Sequence, residues 1–509
     1  MTDQTGIAGP FELSQLFYQA PFLILAVGGL AILLLDAFAG QGRRSWLMWL
    51  AVSVSAAALA SSLVLFATIG STTVSLFGGM LALDRFSVFL AMVVAIAALL
   101  CLLLSSDYLH EHRSEFGEYY SLVLLAASGM VLLAMATDLI TVFLGIETMS
   151  LAVYVLTGSF RRCKHSAEGA LKYFLCGALA SAFLLYGIAL VYGATGTTNL
   201  RRIGEVAAGT ATPLLLLGEL MLIVAFGFKI ALVPFHMWAP DAYQGAPTPV
   251  TAFMAAGVKA AGFAALLRLF LTAFGSGAMP FGHLGWGSIF AVLAAITMTF
   301  ANIAALRQEN FKRLLAYSSV SHAGYLLIGV VAAGVGGSDD PARSSLLFYI
   351  VAYTFATIGA FGLISWIGKR EDERLAIEDW AGLASRHPKA ALAMTIFLLS
   401  LAGMPPTAGF FAKFYVFRAA MGVHGDQLLW LVIVAVLNSV IAVYYYLRPV
   451  VVMYFREPTR DFSPLRSPSS ALAITIAALF VLQMGLLPGW WLDLAGSSGI
   501  AGLAAAAAR

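Results

Sequence analysis

The sequence predicts an all-α fold, a polytopic transmembrane bundle of about fourteen helices with two broken helices and two inverted five-helix repeats. Three observations predict it. Of 509 residues, 61% are hydrophobic and only 11% are charged, where ordinary soluble domains carry roughly 25%. Apolar runs long enough to cross a bilayer follow one another along the whole chain. Two of those runs are too long for one straight crossing and are interrupted by proline.

A crossing needs about 20 apolar residues. Runs of that kind cover 19–38, 46–69, 84–106, 118–136, 138–157, 167–193 and 213–245, then 247–274, 285–306, 311–336, 341–367, 388–422, 427–455 and 469–491. Met1 to Gln19 is mixed in polarity and lacks the basic start of a signal peptide, so the first run is expected to remain a membrane helix. Asp138, after Thr137, reads as an N-cap that opens the fifth span. Asp36 and Glu219 lie near span ends and are expected to reach water, and Asp241, in a proline-rich turn, reads as a cap.

Basic residues orient the chain, because cytoplasmic loops carry an excess of Lys and Arg. One set of alternate loops holds Arg43, Arg44, Arg161, Arg162, Lys164, Arg307, Lys312, Arg313, Lys369, Arg370, Arg374, Arg386, Lys389, Arg456, Arg460 and Arg466. The other holds Arg85, Arg201, Arg202 and Arg343. The first set is expected inside. An even number of spans then puts both termini on the outer face.

Span 213–245 contains Pro234 and Pro240, and span 388–422 contains Pro405, Pro406 and Gly409. Proline removes a backbone donor and clashes with the preceding turn, so each helix is expected to break. Broken helices survive at membrane depth only where they line a cavity or are buried in protein. Each is the fourth span of a five-span unit. Residues 1–117 then form three leading spans, 118–274 a first repeat, 285–455 a second and inverted repeat, and 456–509 a last span and tail. The alanine-rich end, Ala504 to Ala508, carries no message.

Four charges fall near the middle of spans: Glu147 in FLGIETMSL, Lys229 in FGFKIALVP, Lys259 in AAGVKAAGF and Lys413 in GFFAKFYVF. A charge at the bilayer centre costs about 2.5–3.5 kcal/mol on insertion scales, so such groups face the bundle interior and are functional by default. They are expected to form a hydrophilic axis with water; the competing reading is a static network that only holds helices together. A buried lysine loses proton affinity by desolvation and regains it beside a carboxylate, so changes in pairing can move a proton stepwise. Lys172, near the start of the sixth span, and His236, between the prolines of the seventh, are weaker candidates, the first against snorkelling to the interface and the second against a capping role. His322, in YSSVSHAGY, reads first as structural. Cys101, Cys163 and Cys176 lack the CxxC spacing of metal or iron–sulfur sites and read as packing, and no glycine-rich nucleotide motif is present.

The stretch KIALVPFHMWAPDAYQGAPTPVTA, from Lys229 to Ala252, resembles the signature of the antiporter-like membrane subunits of NADH:quinone oxidoreductase, and its wording is most similar to the subunit N family. LAGMPPTAGFFAKFYVF and FLGIETMSLAVYVL match the same family around Lys413 and Glu147, and the resemblance runs over nearly the whole chain. It implies a proton-translocating membrane-arm subunit in which Glu147, Lys229, Lys259 and Lys413 are the key ionisable positions. It implies that FMN, iron–sulfur clusters, NADH and quinone bind partner subunits, and that this chain holds no cofactor or metal. It further implies a hetero-oligomer in a bacterial inner membrane, with no nucleic-acid partner. The second function class compatible with the helix plan is a subunit of a multisubunit monovalent cation/proton antiporter; a purely structural scaffold leaves four central charges beside two broken helices unexplained.

Overall fold

The computed structural model describes residues 14–38, 45–70, 72–208, 212–275, 285–336, 341–369, 373–422, 426–458, 462 and 464–500. Arg43, Arg44, Arg370, Arg460 and the alanine-rich end lie outside them. Among the described residues twelve continuous helices are long and apolar enough to cross a membrane, and two interrupted ones complete a series of fourteen there. In chain order they are α1 (Ala20–Phe38), α2 (Ser45–Thr68), α3 (Arg85–Glu111), α4 (Gly117–Met135), α5 (Leu139–Thr157), α6 (Lys164–Thr195), α7 (Pro213–Lys229) and α8 (Trp238–Gly245). Then come α9 (Thr248–Ala273), α10 (Trp286–Leu306), α11 (Phe311–Gly336), α12 (Pro341–Ile367), α13 (Pro388–Ala402), α14 (Ala408–Met421), α15 (Leu429–Phe455) and α16 (Pro468–Leu486). The pairs α7/α8 and α13/α14 are the two broken crossings.

Apolarity alone does not tell centre from rim, because both lipid and protein accept apolar side chains. The structure sorts them. In α9 and α12 the whole most apolar window is buried, whereas in α1 and α2 only 22% and 28% of it is. The rim helices α6 and α15 turn outward Leu175, Leu179, Tyr186, Leu437, Val440 and Tyr444, as a lipid-facing or subunit-facing surface requires.

Local chemistry fixes the helix starts. Asp138 accepts from the Ile140 amide, as its N-cap position predicts. Asp84 caps α3 through a reciprocal pair with Ser87. Its carboxylate also receives both terminal nitrogens of Arg268, at 3.0 and 2.8 Å, which pins the end of α9 to the start of α3.

The first break spans Ile230 to Met237, with a left-handed Ala231. Pro234 lies in it. Pro240 does not: it sits in the first turn of α8, where its missing amide leaves no helical bond unmade. Orphaned groups at the break find partners. The Leu232 amide returns to the Gly227 carbonyl, the Val233 amide donates to Thr297 of α10, and the Trp238 indole donates to the Phe228 carbonyl. The second break is shorter, Gly403 to Thr407. Gly403 takes the left-handed conformation that ends α13.

Two expectations need correction. Glu219 does not reach water: it is 2% exposed on α7, and one of its oxygens is buried without a partner. A helix position alone could not show how closely α7 packs in the bundle, where Gly187 of α6 and Gly218 let the two backbones approach. Asp241 is less a cap than an ion-pair centre, accepting from Lys172 and Arg313 at 2.7 Å each. Asp36 is half-buried.

Candidate functional site

The three central lysines lie buried inside the bundle and Glu147 is half-buried, on elements that the breaks and one helical defect position. Lys229 occupies the last turn of α7, 5% exposed. Its ammonium donates to Ser150 Oγ on α5 at 2.6 Å and to the Tyr154 hydroxyl at 3.4 Å, and lies over the Tyr154 and Phe228 rings. Glu147 is one turn before Ser150, so both project from one face of α5. The Glu147 carboxylate accepts from Ser181 of α6 and acts on Lys229 through space without an ion pair between them.

Lys259 follows a π-helical turn, Met254–Val258, in the middle of α9. Such single wide turns re-aim the side chains beyond them and recur at functional sites. The Lys259 ammonium donates to the Ser319 carbonyl and, at 2.5 Å, to Ser319 Oγ on α11, beneath the Tyr353 ring. Tyr243 of α8 meets the same Ser319 hydroxyl at 3.3 Å.

Lys413 lies in α14, past the second break, yet its ammonium reaches back to the Ala402 carbonyl at 2.9 Å. It therefore places a cation on the negative end of α13. The Tyr325 ring of α11 covers it, 4.6 Å from ring centre to ammonium.

Helix α11 connects the two later lysines. Ser318 pairs with the Tyr446 hydroxyl, and the His322 ring nitrogens meet Tyr349 at 2.8 Å and Tyr446 at 3.2 Å. His322 feels the charge of both Lys259 and Lys413. Ser318, Ser319, His322 and Tyr325 recur at helical spacing along one side of α11, within the run YSSVSHAGY. That polar stripe stands out in an otherwise apolar span and is legible in the sequence.

The weaker candidates stand apart. Lys172 lies near the loop face, its side chain 45% exposed, paired with Glu168 and Asp241 at 2.7 Å each. His236 sits in the first break against the Phe300 ring, and its Nδ1 has no hydrogen-bond partner among the described residues. Among the described residues no hydrogen bond or ion pair joins either to the three lysines. Among the described residues no cluster of three or more His, Cys, Asp or Glu could hold a metal.

Two broken helices, with three buried ammonium groups set among hydroxyls and an imidazole, define a class: membrane proteins that move ions or protons through a polytopic bundle. Comparison with known proteins narrows it. The family model for the transmembrane part of NADH:quinone oxidoreductase and Mrp antiporters matches residues 136–442, and the chain belongs to that family. It is 47% identical to NADH-quinone oxidoreductase subunit N 1 of Sorangium cellulosum, over 92% of this chain and 95% of that one. It is 44% identical to NADH-quinone oxidoreductase subunit N of Trichlorobacter lovleyi, over 96% and 98%. Among solved structures, a chain of respiratory complex I from Thermus thermophilus superposes with a TM-score of 0.78 at 36% identity, covering 94% of this chain and 100% of that one. A chain of the Mrp complex from Dietzia sp. DQ12-45-1b shares the fold at 23% identity, with a TM-score of 0.82 over 94% and 96%.

Proposed function

We propose that this chain is a proton-translocating membrane-arm subunit of NADH:quinone oxidoreductase. Protons pass along the axis Glu147, Lys229, Lys259, His322 and Lys413. The observation that carries the reading is the placement of α11, whose hydroxyls and imidazole fill the interval between Lys259 and Lys413 where lipid-like side chains would insulate it. The first unit supplies Glu147 and Lys229, the second Lys413, and Lys259 stands where they meet; units of 118–274 and 285–455 fit this division, with three leading spans in 1–117 and a last span in 456–509.

The chain needs an external source of energy. Moving one charge across the membrane costs about 2.3 kcal/mol per 100 mV. That energy comes from electron transfer on partner subunits, which hold FMN, iron–sulfur clusters, NADH and quinone. The chain works in a bacterial inner membrane with its arginine-rich loops inside and both termini outside. Lys172, paired with Asp241, serves as a loop-face charge and His236 as a side branch at the first break.

The test is NADH-driven acidification of proteoliposomes holding the purified complex. Lys259→Ala is expected to stop this chain's share of the protons while the complex stays assembled. Cation/proton exchange by the purified chain with no redox partner bound would replace this reading with the antiporter one.

A further inference from the structure

A buried asparagine pair, outside the proton axis, joins α10 to α15. Asn302 of α10 is 0% exposed and Asn438 of α15 is 3% exposed. Backbone carbonyls, which can only accept, set which way each amide points. Asn438 Nδ2 donates to the Val434 carbonyl at 3.0 Å and to Thr299 Oγ1 at 3.1 Å, which turns its Oδ1 towards Asn302. Asn302 Nδ2 donates to that Oδ1 at 3.1 Å and lies 3.3 Å from the Asn438 carbonyl. Asn302 Oδ1 therefore accepts, from the Tyr445 hydroxyl at 2.9 Å. The same Asn302 nitrogen donates to the Tyr325 hydroxyl oxygen at 3.4 Å, and Ser439, next in the chain to Asn438, donates to that oxygen at 3.3 Å. Each of these two bonds is long, but two helices close on one atom of the ring that covers Lys413.

We propose that Asn302 is a positioning residue for Lys413: it holds the Tyr325 hydroxyl and so keeps the face of that ring over the Lys413 ammonium. The inference rests on the reading of Lys413 as a proton carrier. A tyrosine side chain turns about two bonds. With its backbone set in α11 and its oxygen held from α10 and α15, neither bond is free to turn. Ring orientation matters because the face of an aromatic ring attracts a cation, whereas its edge carries the opposite partial charge. Among the described residues the Lys413 ammonium has one hydrogen bond, to the Ala402 carbonyl, so the ring face is its other attractive neighbour. The face offers no site for a proton. It steadies the cation without taking the proton from it.

Packing alone does not require this arrangement. Two apolar side chains would join α10 to α15 and leave no polar group to satisfy. The amides instead fix a direction: Tyr445 donates to Asn302, and Asn302 donates to Asn438 and to Tyr325. The ring neighbours of Tyr325, Phe417 and His322, stand 6.2 and 5.9 Å away between centres and meet it obliquely, which leaves the hydroxyl end to Asn302 and Ser439. Among the described residues no hydrogen bond joins Asn302 to Lys413, so its influence passes through the ring.

The experiment measures NADH-driven proton translocation by the assembled complex in proteoliposomes. Tyr325→Phe keeps the ring and removes the held oxygen, and is expected to slow translocation about three- to tenfold, the range of a lost cation–π contact. Asn302→Ala is expected to slow it about as much in the native background, and by less than about twofold when added to Tyr325→Phe, where no hydroxyl is left to hold. A purely structural asparagine would cost the same in both backgrounds. Ser439→Ala, at a half-buried position, runs the same cycle with little loss of packing and decides the matter where Asn302→Ala fails to assemble. Translocation at the native rate by Tyr325→Phe, or equal losses in both backgrounds, overturns the proposal. Lys413→Ala separates it from the functional reading. If Lys413→Ala translocates normally, both fail; if Lys413→Ala is dead and Tyr325→Phe normal, only the positioning role is wrong.

Discussion

The two broken helices carry a lysine each, but they hold it differently. In the first, Lys229 ends α7 before a break of eight residues, Ile230 to Met237, and its ammonium points sideways to Ser150 and Tyr154 on α5. In the second, Lys413 follows a break of five residues, Gly403 to Thr407, and bends back onto the last carbonyl of α13. Hydroxyls can donate or accept and can turn. A backbone carbonyl can only accept and stays where the helix puts it. Lys229 is therefore built to change partners, with Glu147 one turn from Ser150, whereas Lys413 is held against a fixed dipole and is best suited to be the end of a path.

The largest effect that tests this contrast is on transport. Lys229→Ala should lower NADH-driven proton translocation by about tenfold or more in an assembled complex. Lys229→Arg should do nearly as much, since arginine keeps its charge but never gives up its proton. A Lys229→Arg complex that translocates normally would show that charge without titration is enough.

Packing separates the two breaks next. A methyl group on Gly409 would run into the Ser400 backbone oxygen across the tight second break. Gly409→Ala should cost about 1–3 kcal/mol, read as a lower melting temperature of the purified chain. Gly489, beyond α16, has nothing near its added methyl, and Gly489→Ala should melt like the parent; equal losses at both positions would remove the tight break from the explanation.

A smaller loss distinguishes the two ammonium groups as helix-end cations. Lys413→Met should destabilise by about 1 kcal/mol through loss of the charge on the α13 terminus, and Lys413→Arg should recover most of it while remaining inactive in transport. Ser150→Ala should leave the melting temperature within about 1 kcal/mol of the parent and act on the rate instead.

The smallest effect is in the acidic range, on the α12–α13 connection within the second unit. Glu373 sits at about 2 in the fold, below the usual 4.5, although burial opposes this, because His112, Lys312 and Tyr108 favour its charged form. A depressed carboxyl contributes stability that is present above about 4.5 and is lost as pH falls towards 2. Hydrogen exchange of the segment around 373–380 should therefore quicken over that window, and Glu373→Gln should flatten the response. Exchange that quickens equally in Glu373→Gln would assign it to other groups.

Much of this molecule is legible from the chain alone. Composition and run length determine a membrane bundle, since nothing else buries so much apolar surface, and proline in over-long runs marks both broken crossings. Isolated charges in those runs marked Glu147, Lys229, Lys259 and Lys413, because lipid tolerates such groups only when they turn inward. The tertiary structure decided what each charge meets. Pro240 reads like Pro234 in sequence, yet only one falls where the chain leaves the helix. Glu219 reads as a span-end acid, yet the fold buries it. The π-turn before Lys259, the Asp84–Arg268 pair and the His112–Glu373–Tyr108 cluster join residues far apart in the chain. A sequence reports the cost of placing each side chain in lipid, which is local. Which helix face meets which is set by the summed packing of the whole bundle, and the path from hydroxyl to lysine exists only once those faces have met.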